Sequence, residues 1–156
     1  MKKLLLIIAL FGISLTLTAC GTKKEVFNCF EFTEMFKQKG ANDFVEVNNL
    51  RKYKSYTITL YPRSMKFEVK EQYEDVNEVY TGTYTRKSDL NGKETLTFTY
   101  DSEFMQKFGE EVYEVKNGGK ELHFYKERNL ESSSGNILGP ITKKFKIKDS
   151  NKFFWF

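Results

Sequence analysis

Thr95-Leu96-Thr97-Phe98-Thr99-Tyr100 alternates without a break between a polar and an apolar residue, and its period of two decides the fold. Leu96, Phe98 and Tyr100 fall on one face and three threonines on the other, which is a half-buried strand with one wet side. The same pattern spreads outward in both directions. Upstream, Tyr56, Ile58 and Leu60 alternate with Ser55, Thr57 and Thr59, and Met65, Phe67 and Val69 with Lys66, Glu68 and Lys70. Downstream, Leu122 and Phe124 alternate with His123 and Tyr125, and Phe145 and Ile147 with Lys144, Lys146 and Lys148. Turn chemistry separates the runs: Pro62-Arg63-Ser64, Asn91-Gly92 and Asn117-Gly118-Gly119. About eight strands at this spacing predict a mainly β domain, a small antiparallel meander closed or nearly closed into a barrel, with one or two short helices.

The first helix is expected within residues 27–39. Phe32, Met35 and Phe36 stand at i, i+3 and i+4, Lys37 and Lys39 fall in the last turn, and Gly40 follows as the stop. A strand over residues 26–32 competes with it, because Val26, Asn28, Phe30 and Phe32 also alternate. The second helix is expected over residues 102–108, with Asp101 or Ser102 as N-cap and Gly109 as stop. Residues 129–140, with Ser132-Ser133-Ser134-Gly135, read as a mobile loop.

The amino terminus carries the clearest functional signal. Lys2 and Lys3 precede an apolar run over residues 4–17, which ends in the small residues Thr18 and Ala19 before Cys20. That order is the layout of a secretory signal peptide, and the run falls short of the ~20 residues a membrane-spanning helix needs. Leu17-Thr18-Ala19-Cys20-Gly21 resembles the lipobox of bacterial lipoproteins. The resemblance implies cleavage between Ala19 and Cys20, a diacylglyceryl thioether on Cys20, and often acylation (palmitate, for example) of the new amino terminus. Two or three chains, at ~0.8 kcal/mol per buried CH₂, exceed what stable anchoring needs. Residues 1–19 are then signal, 20–25 a lipidated cysteine with a short polar tether, and 26–156 the folded domain. The expected location is outside the cytoplasm, lipid-anchored to the bacterial cell membrane or outer membrane. Lipidation leaves Cys29 without an intramolecular disulfide partner, and its apolar neighbours favour a small buried hydrophobe.

Tyr80-Thr81-Gly82-Thr83-Tyr84, then residues 96–100, then Val115 through Gly118-Gly119 to Leu122-His123-Phe124 resemble the lipocalin-like domain of small bacterial lipoproteins. The resemblance implies an eight-stranded barrel that holds a small apolar ligand. The chain departs from lipocalins proper: no GxW opens the first strand, and the single tryptophan is Trp155.

Composition excludes other classes. The net charge of +4 falls to +2 without Lys2 and Lys3, so no charge-driven nucleic-acid contact is expected. Apart from Phe11, every aromatic residue lies beyond position 19, enough for a packed domain. His123 is the single histidine and sits on the wet side of its strand, so a Ser-His-Asp site or a zinc site has no foundation. Asp89-Leu90-Asn91-Gly92 lacks the alternating ligands of a calcium loop and reads as a hairpin turn. Glu110, Glu111 and Glu114, or Glu71, Glu74 and Asp75, are carboxylate groups with no imposed spacing, and are read as charged loop residues. The basic run over residues 143–148 is read first as the wet face of a strand, and second as a contact for anionic lipid headgroups. Phe153-Phe154-Trp155-Phe156 is read as aromatic residues that seal the barrel.

No catalytic residue, metal site or cofactor is expected, and the domain is expected to be a monomer. Tyr56, Ile58, Leu60, Phe67, Leu96, Phe98 and Phe124 are the candidate cavity wall. Two functions remain open: binding of a small apolar or amphipathic molecule in the barrel, or contact with another envelope protein by a domain whose core is filled. The many inward tyrosines, whose hydroxyls need partners, favour the first.

Overall fold

The computed structural model describes residues 23–148, so the signal segment, Cys20 and the terminal aromatic run lie outside the described residues. Ten strands follow one another almost entirely as a meander. β1 (Glu25–Gln38), β2 (Val45–Asn48), β3 (Ser55–Tyr61), β4 (Lys66–Tyr73) and β5 (Val76–Ser88) form the first half. β6 (Glu94–Tyr100), β7 (Glu111–Lys116), β8 (Glu121–Lys126), β9 (Leu130–Glu131) and β10 (Asn136–Ile147) complete it. Neighbours pair antiparallel in the order β2-β1-β3-β4-β5-β6-β7-β8-β10-β9, and a further β1–β10 ladder closes the sheet. The result is a closed eight-stranded antiparallel barrel of β1, β3 to β8 and β10, as the alternation predicts. β1 and β10 are longer than the barrel. Beyond the rim their outer edges take the short strands β2, on residues 33–36 of β1, and β9, on residues 137–138 of β10.

The alternating apolar residues turn inward, except Met65, which lies exposed in the turn before β4 at φ +53°. Ile58, Leu60, Leu96, Phe98 and Phe145 are fully buried, and Phe27, Phe67, Tyr113 and Leu122 nearly so. Gly82 sits on this inner face, opposite Phe67 and Tyr100. A Cβ there would lie 2.1 Å from the Thr99 carbonyl oxygen and 2.8 Å from the Phe67 ring, so only glycine lets that ring lie across β5.

Residues 27–39 form a strand, not a helix. The ladder to β10 shifts register between Cys29 and Glu31, and again between Glu34 and Phe36. The first bulge leaves Phe30 half exposed and moves the inward parity from Phe27 and Cys29 to Phe32 and Glu34. The bulge in β1 sets the inward Cys29 and Phe32 three apart. Met35 and Phe36, consecutive in the ladder to β2, lie on opposite faces of the strand, so the helical spacing of Phe32, Met35 and Phe36 is coincidental. The competing strand reading of residues 26–32 holds, extended to Gln38.

The expected loop over residues 129–140 is also largely strand. β9 turns back through residues 132–135 into β10, and the Ser132 N–H donates to the Asn136 carbonyl at 2.7 Å. Gly139 and Pro140 form a bulge of β10 opposite Met35, where neither flanking ladder has a paired residue, so the missing proline N–H costs no sheet bond. The second helix is real but shorter, α1 (Glu103–Gln106), and Gly109 follows at φ +81°. Asp89 makes the expected turn: its carboxylate accepts from the N–H of Asn91 at 2.9 Å and of Lys93 at 2.8 Å.

The barrel has two unlike ends. At one, the chain enters β1 and leaves β10, tied by the Lys148 N–H to the Val26 carbonyl at 2.7 Å. At the other lie the end of β4, the start of β7, α1 and the overhanging part of the β1–β10 ladder. That second end is the mouth.

Candidate functional site

The seven residues expected to line a cavity share the inner face, but they divide along the barrel axis. Ile58, Leu60, Phe67, Leu96 and Phe98 pack together towards the closed end. The Phe67 ring stacks on Phe98 at 4.3 Å between centroids and meets Tyr100 edge-on at 5.0 Å, while Phe98 lies 4.7 Å from Tyr113. Tyr56 and Phe124 stand nearer the mouth, and Phe124 alone of the seven lines the cavity found there.

That cavity holds about 290 Å³. Its apolar wall is Met105 and Phe108 from the α1 region, with Tyr80, Phe124 and Ile141. Its polar side is Glu71, Glu111, Lys143, Lys126 and Arg128. The charged residues come inward by the same alternation that buries the aromatics: Glu71 follows Phe67 and Val69, Glu111 precedes Tyr113 and Val115, and Lys143 precedes Phe145 and Ile147. The alternation itself was the signal that could have found them, since each stands an even number of residues from a buried ring.

Glu111 and Lys143 form the centre. Glu111 Oε2 accepts the hydroxyls of Tyr100 and Tyr113, each at 2.8 Å, and Oε1 accepts Lys143 Nζ at 3.2 Å. Both side chains are nearly buried, 12% exposed for Lys143 and 16% for Glu111. The Lys143 ammonium also lies over the rings of Phe124, Phe32 and Tyr56, 5.3, 5.5 and 5.7 Å from their centroids. Burial pushes the Glu111 carboxyl up, but the Lys143 charge and the two tyrosine hydroxyls outweigh it, and its pKa ends below the ordinary range. Burial likewise works against the Lys143 charge, and Glu111 outweighs it, so the ammonium is held. Glu71 is different. Burial raises its pKa, and Lys143 with the Tyr56 hydroxyl offsets this only in part.

Four of the inward tyrosine hydroxyls find carboxylates: Tyr100 and Tyr113 use Glu111, Tyr56 uses Glu71, and Tyr80 uses Glu78. Among the described residues no buried side-chain polar atom lacks a partner. A second polar group braces the overhang. Glu34 accepts from Arg128 and, at 2.8 Å, from Asn49 Nδ2, while Arg128 Nε donates to the Gly139 carbonyl at 3.0 Å.

The sequence groupings of carboxylates are split up. Glu114 stands outside, paired with Lys116 and with Lys93 at 3.5 Å, and one member of each grouping, Glu71 and Glu111, meets at the mouth. The basic run is split too: Lys144 faces outward to Glu31 at 2.9 Å, while Lys143 faces in. His123 lies on the outer side, half-buried, 2.9 Å from Glu121 Oε2. The Cys29 thiol donates to the Glu31 carbonyl at 3.4 Å, and burial pushes its pKa up to about 12, so at neutral pH it is a thiol and a poor nucleophile. Among the described residues no group of three or more His, Cys, Asp or Glu is placed to hold a metal ion.

No protein-family model, curated protein or solved structure matches this chain. No nucleophile with a base at hand is built there: Lys143 is held protonated, and Glu111 is occupied on both oxygens. The arrangement can hold a molecule that has a polar end and an apolar end.

Proposed function

We propose that this chain is a non-enzymatic bacterial envelope lipoprotein, held to a membrane through lipid on Cys20, whose barrel mouth binds a small amphipathic molecule. The observation that carries the reading is the 290 Å³ cavity with a charged side and an aromatic and aliphatic side, at the lower edge of the ~300–1,000 Å³ usual for small-molecule sites. A lipid anchor would leave this site at the end of the barrel away from the attachment point, because β1 begins at the closed end. The ligand would then be taken from the aqueous side and not from the anchoring bilayer.

The packed rings below the mouth also suit the second reading, a filled domain that contacts another envelope protein. Titration with the neutral fluorescent amphiphile N-phenyl-1-naphthylamine separates the two. The expected result is saturable fluorescence enhancement with one site per chain, abolished or strongly weakened by Phe124→Lys in a chain that keeps its β circular dichroism. No saturable binding would favour the interaction module. The anchor has its own test. Cys20→Ala is expected to accumulate as unprocessed precursor, and mass spectrometry of the wild-type amino-terminal peptide should show a diacyl or triacyl cysteine. An unmodified mature terminus would sink the lipoprotein reading.

A further inference from the structure

The donors and acceptors around the mouth are unequal, and on this basis, taking the ligand-binding reading above as given, we propose that the mouth selects amphiphiles whose polar head is an anion with oxygen acceptors, such as a carboxylate. Every cation on the cavity wall keeps donors to spare. Lys126 Nζ donates to the Phe108 carbonyl at 2.8 Å, and among the described residues no carboxylate lies within ion-pair distance of it. An ammonium has three N–H donors, so Lys126 can still reach a ligand. Arg128 uses Nε on Gly139 and one terminal nitrogen on Glu34, which leaves part of its five-donor fork uncommitted. Lys143 spends one bond on Glu111.

The acceptors are mostly consumed. Glu111 already takes three hydrogen bonds, and Glu34 is held by Arg128 and Asn49. Glu71 is the one cavity carboxylate with room: it accepts the Tyr56 hydroxyl, and burial raises its pKa. A cationic head would have to settle beside Glu71 within the field of Lys143, with Lys126 and Arg128 on the same wall. An anionic head meets three cations and displaces no existing pair.

Geometry limits the rest of the molecule. At ~30 Å³ per water the cavity has room for about ten waters, enough for one short chain or one ring system and too little for a two-chain lipid. The apolar part would lie against Met105, Phe108 and Ile141, with the head toward Lys126 and Arg128.

The test is displacement of bound N-phenyl-1-naphthylamine by three eight-carbon amphiphiles: octanoate, octanol and octylammonium. Octanoate is expected to displace it at concentrations about tenfold lower than octanol, the effect of roughly one charge-assisted hydrogen bond, with octylammonium weakest. Added salt should narrow the gap. Lys126→Gln, a rim substitution in a side chain open to solvent, should cut the octanoate preference about threefold, and Lys126→Arg should keep it. Equal displacement by all three, or a preference unchanged in Lys126→Gln, overturns the anion selectivity and leaves mouth binding in place. Anionic vesicles that displace the probe better than octanoate would overturn the single-chain assignment. Absence of binding by the probe and by every amphiphile, read directly by calorimetry, retires the mouth as a ligand site altogether.

Discussion

Phe98→Ala is expected to lower the unfolding free energy by about 3–5 kcal/mol, measured by urea denaturation with circular dichroism as the signal. The ring is fully buried, stacked on Phe67 at 4.3 Å and flanked by Tyr113 at 4.7 Å and Tyr84 at 6.0 Å. Removing it loses the transfer free energy of the ring and leaves a cavity whose lining is fixed by closed ladders on both sides, so little collapse can refill it. If the whole inner face were instead the wall of an open pocket, the same change would cost far less stability and would weaken ligand uptake. Phe98 lies below the mouth and does not line its cavity, so probe binding to the folded variant should survive. A loss below about 1.5 kcal/mol together with weakened binding would show that the deep half is open.

Strands with a clean period of two were legible because a barrel wall has one dry and one wet side. Residues 95–100 and 55–60 needed nothing more than that rule. The edges of the fold were not legible by it. The β1–β10 ladder bulges twice, in β1 at Phe30 and in β10 at Gly139-Pro140, as it bends from the barrel wall into the overhang, and each bulge breaks the parity on which the reading depends. Gly139 and Pro140 look like loop residues, yet β10 carries them as its own bulge opposite Met35 of β1. In each case the backbone partner decided the local structure, and that partner is more than one hundred residues away.

The mouth shows a different failure. Lys143 reads locally as part of a solvated lysine run, and Glu71 and Glu111 as loop carboxylates, because a charge is ordinarily left in water. Parity pointed the other way for all three. A charge at an inward position of a half-buried strand requires a partner from another strand, and here it comes from β7 for β10, with tyrosines completing the shell. The pairing across 32 residues of sequence has no local signature, whereas the misplaced charge does.

Lys143→Met should be the more damaging of the two mouth substitutions in the Glu111–Lys143 pair, and its damage should depend on pH. At neutral pH the expected cost is about 3–5 kcal/mol, since the change strands Glu111 in a nearly dry site. The sign follows from the shifts. In the native protein the Glu111 pKa is depressed, so its contribution to stability is present above the ordinary carboxylate pKa and is lost as the pH falls through the lower folded value. Without Lys143, burial prevails and the Glu111 pKa rises above its unfolded value. Ionised Glu111 then opposes folding once the pH passes the ordinary carboxylate range, and Glu71, already raised, acts in the same direction. The difference between native and Lys143→Met should therefore be greatest near neutrality and shrink steadily in acid. Adding Glu111→Gln to Lys143→Met should recover much of the loss, because the amide carbonyl still accepts the Tyr100 and Tyr113 hydroxyls and no charge remains to be buried. Equilibrium unfolding of the native protein, both single variants and the double variant across this pH range measures the coupling directly. A deficit in Lys143→Met that stays constant with pH and is not relieved by Glu111→Gln would mean that lost packing against Phe32, Tyr56 and Phe124, and not the stranded carboxylate, is what the lysine prevents.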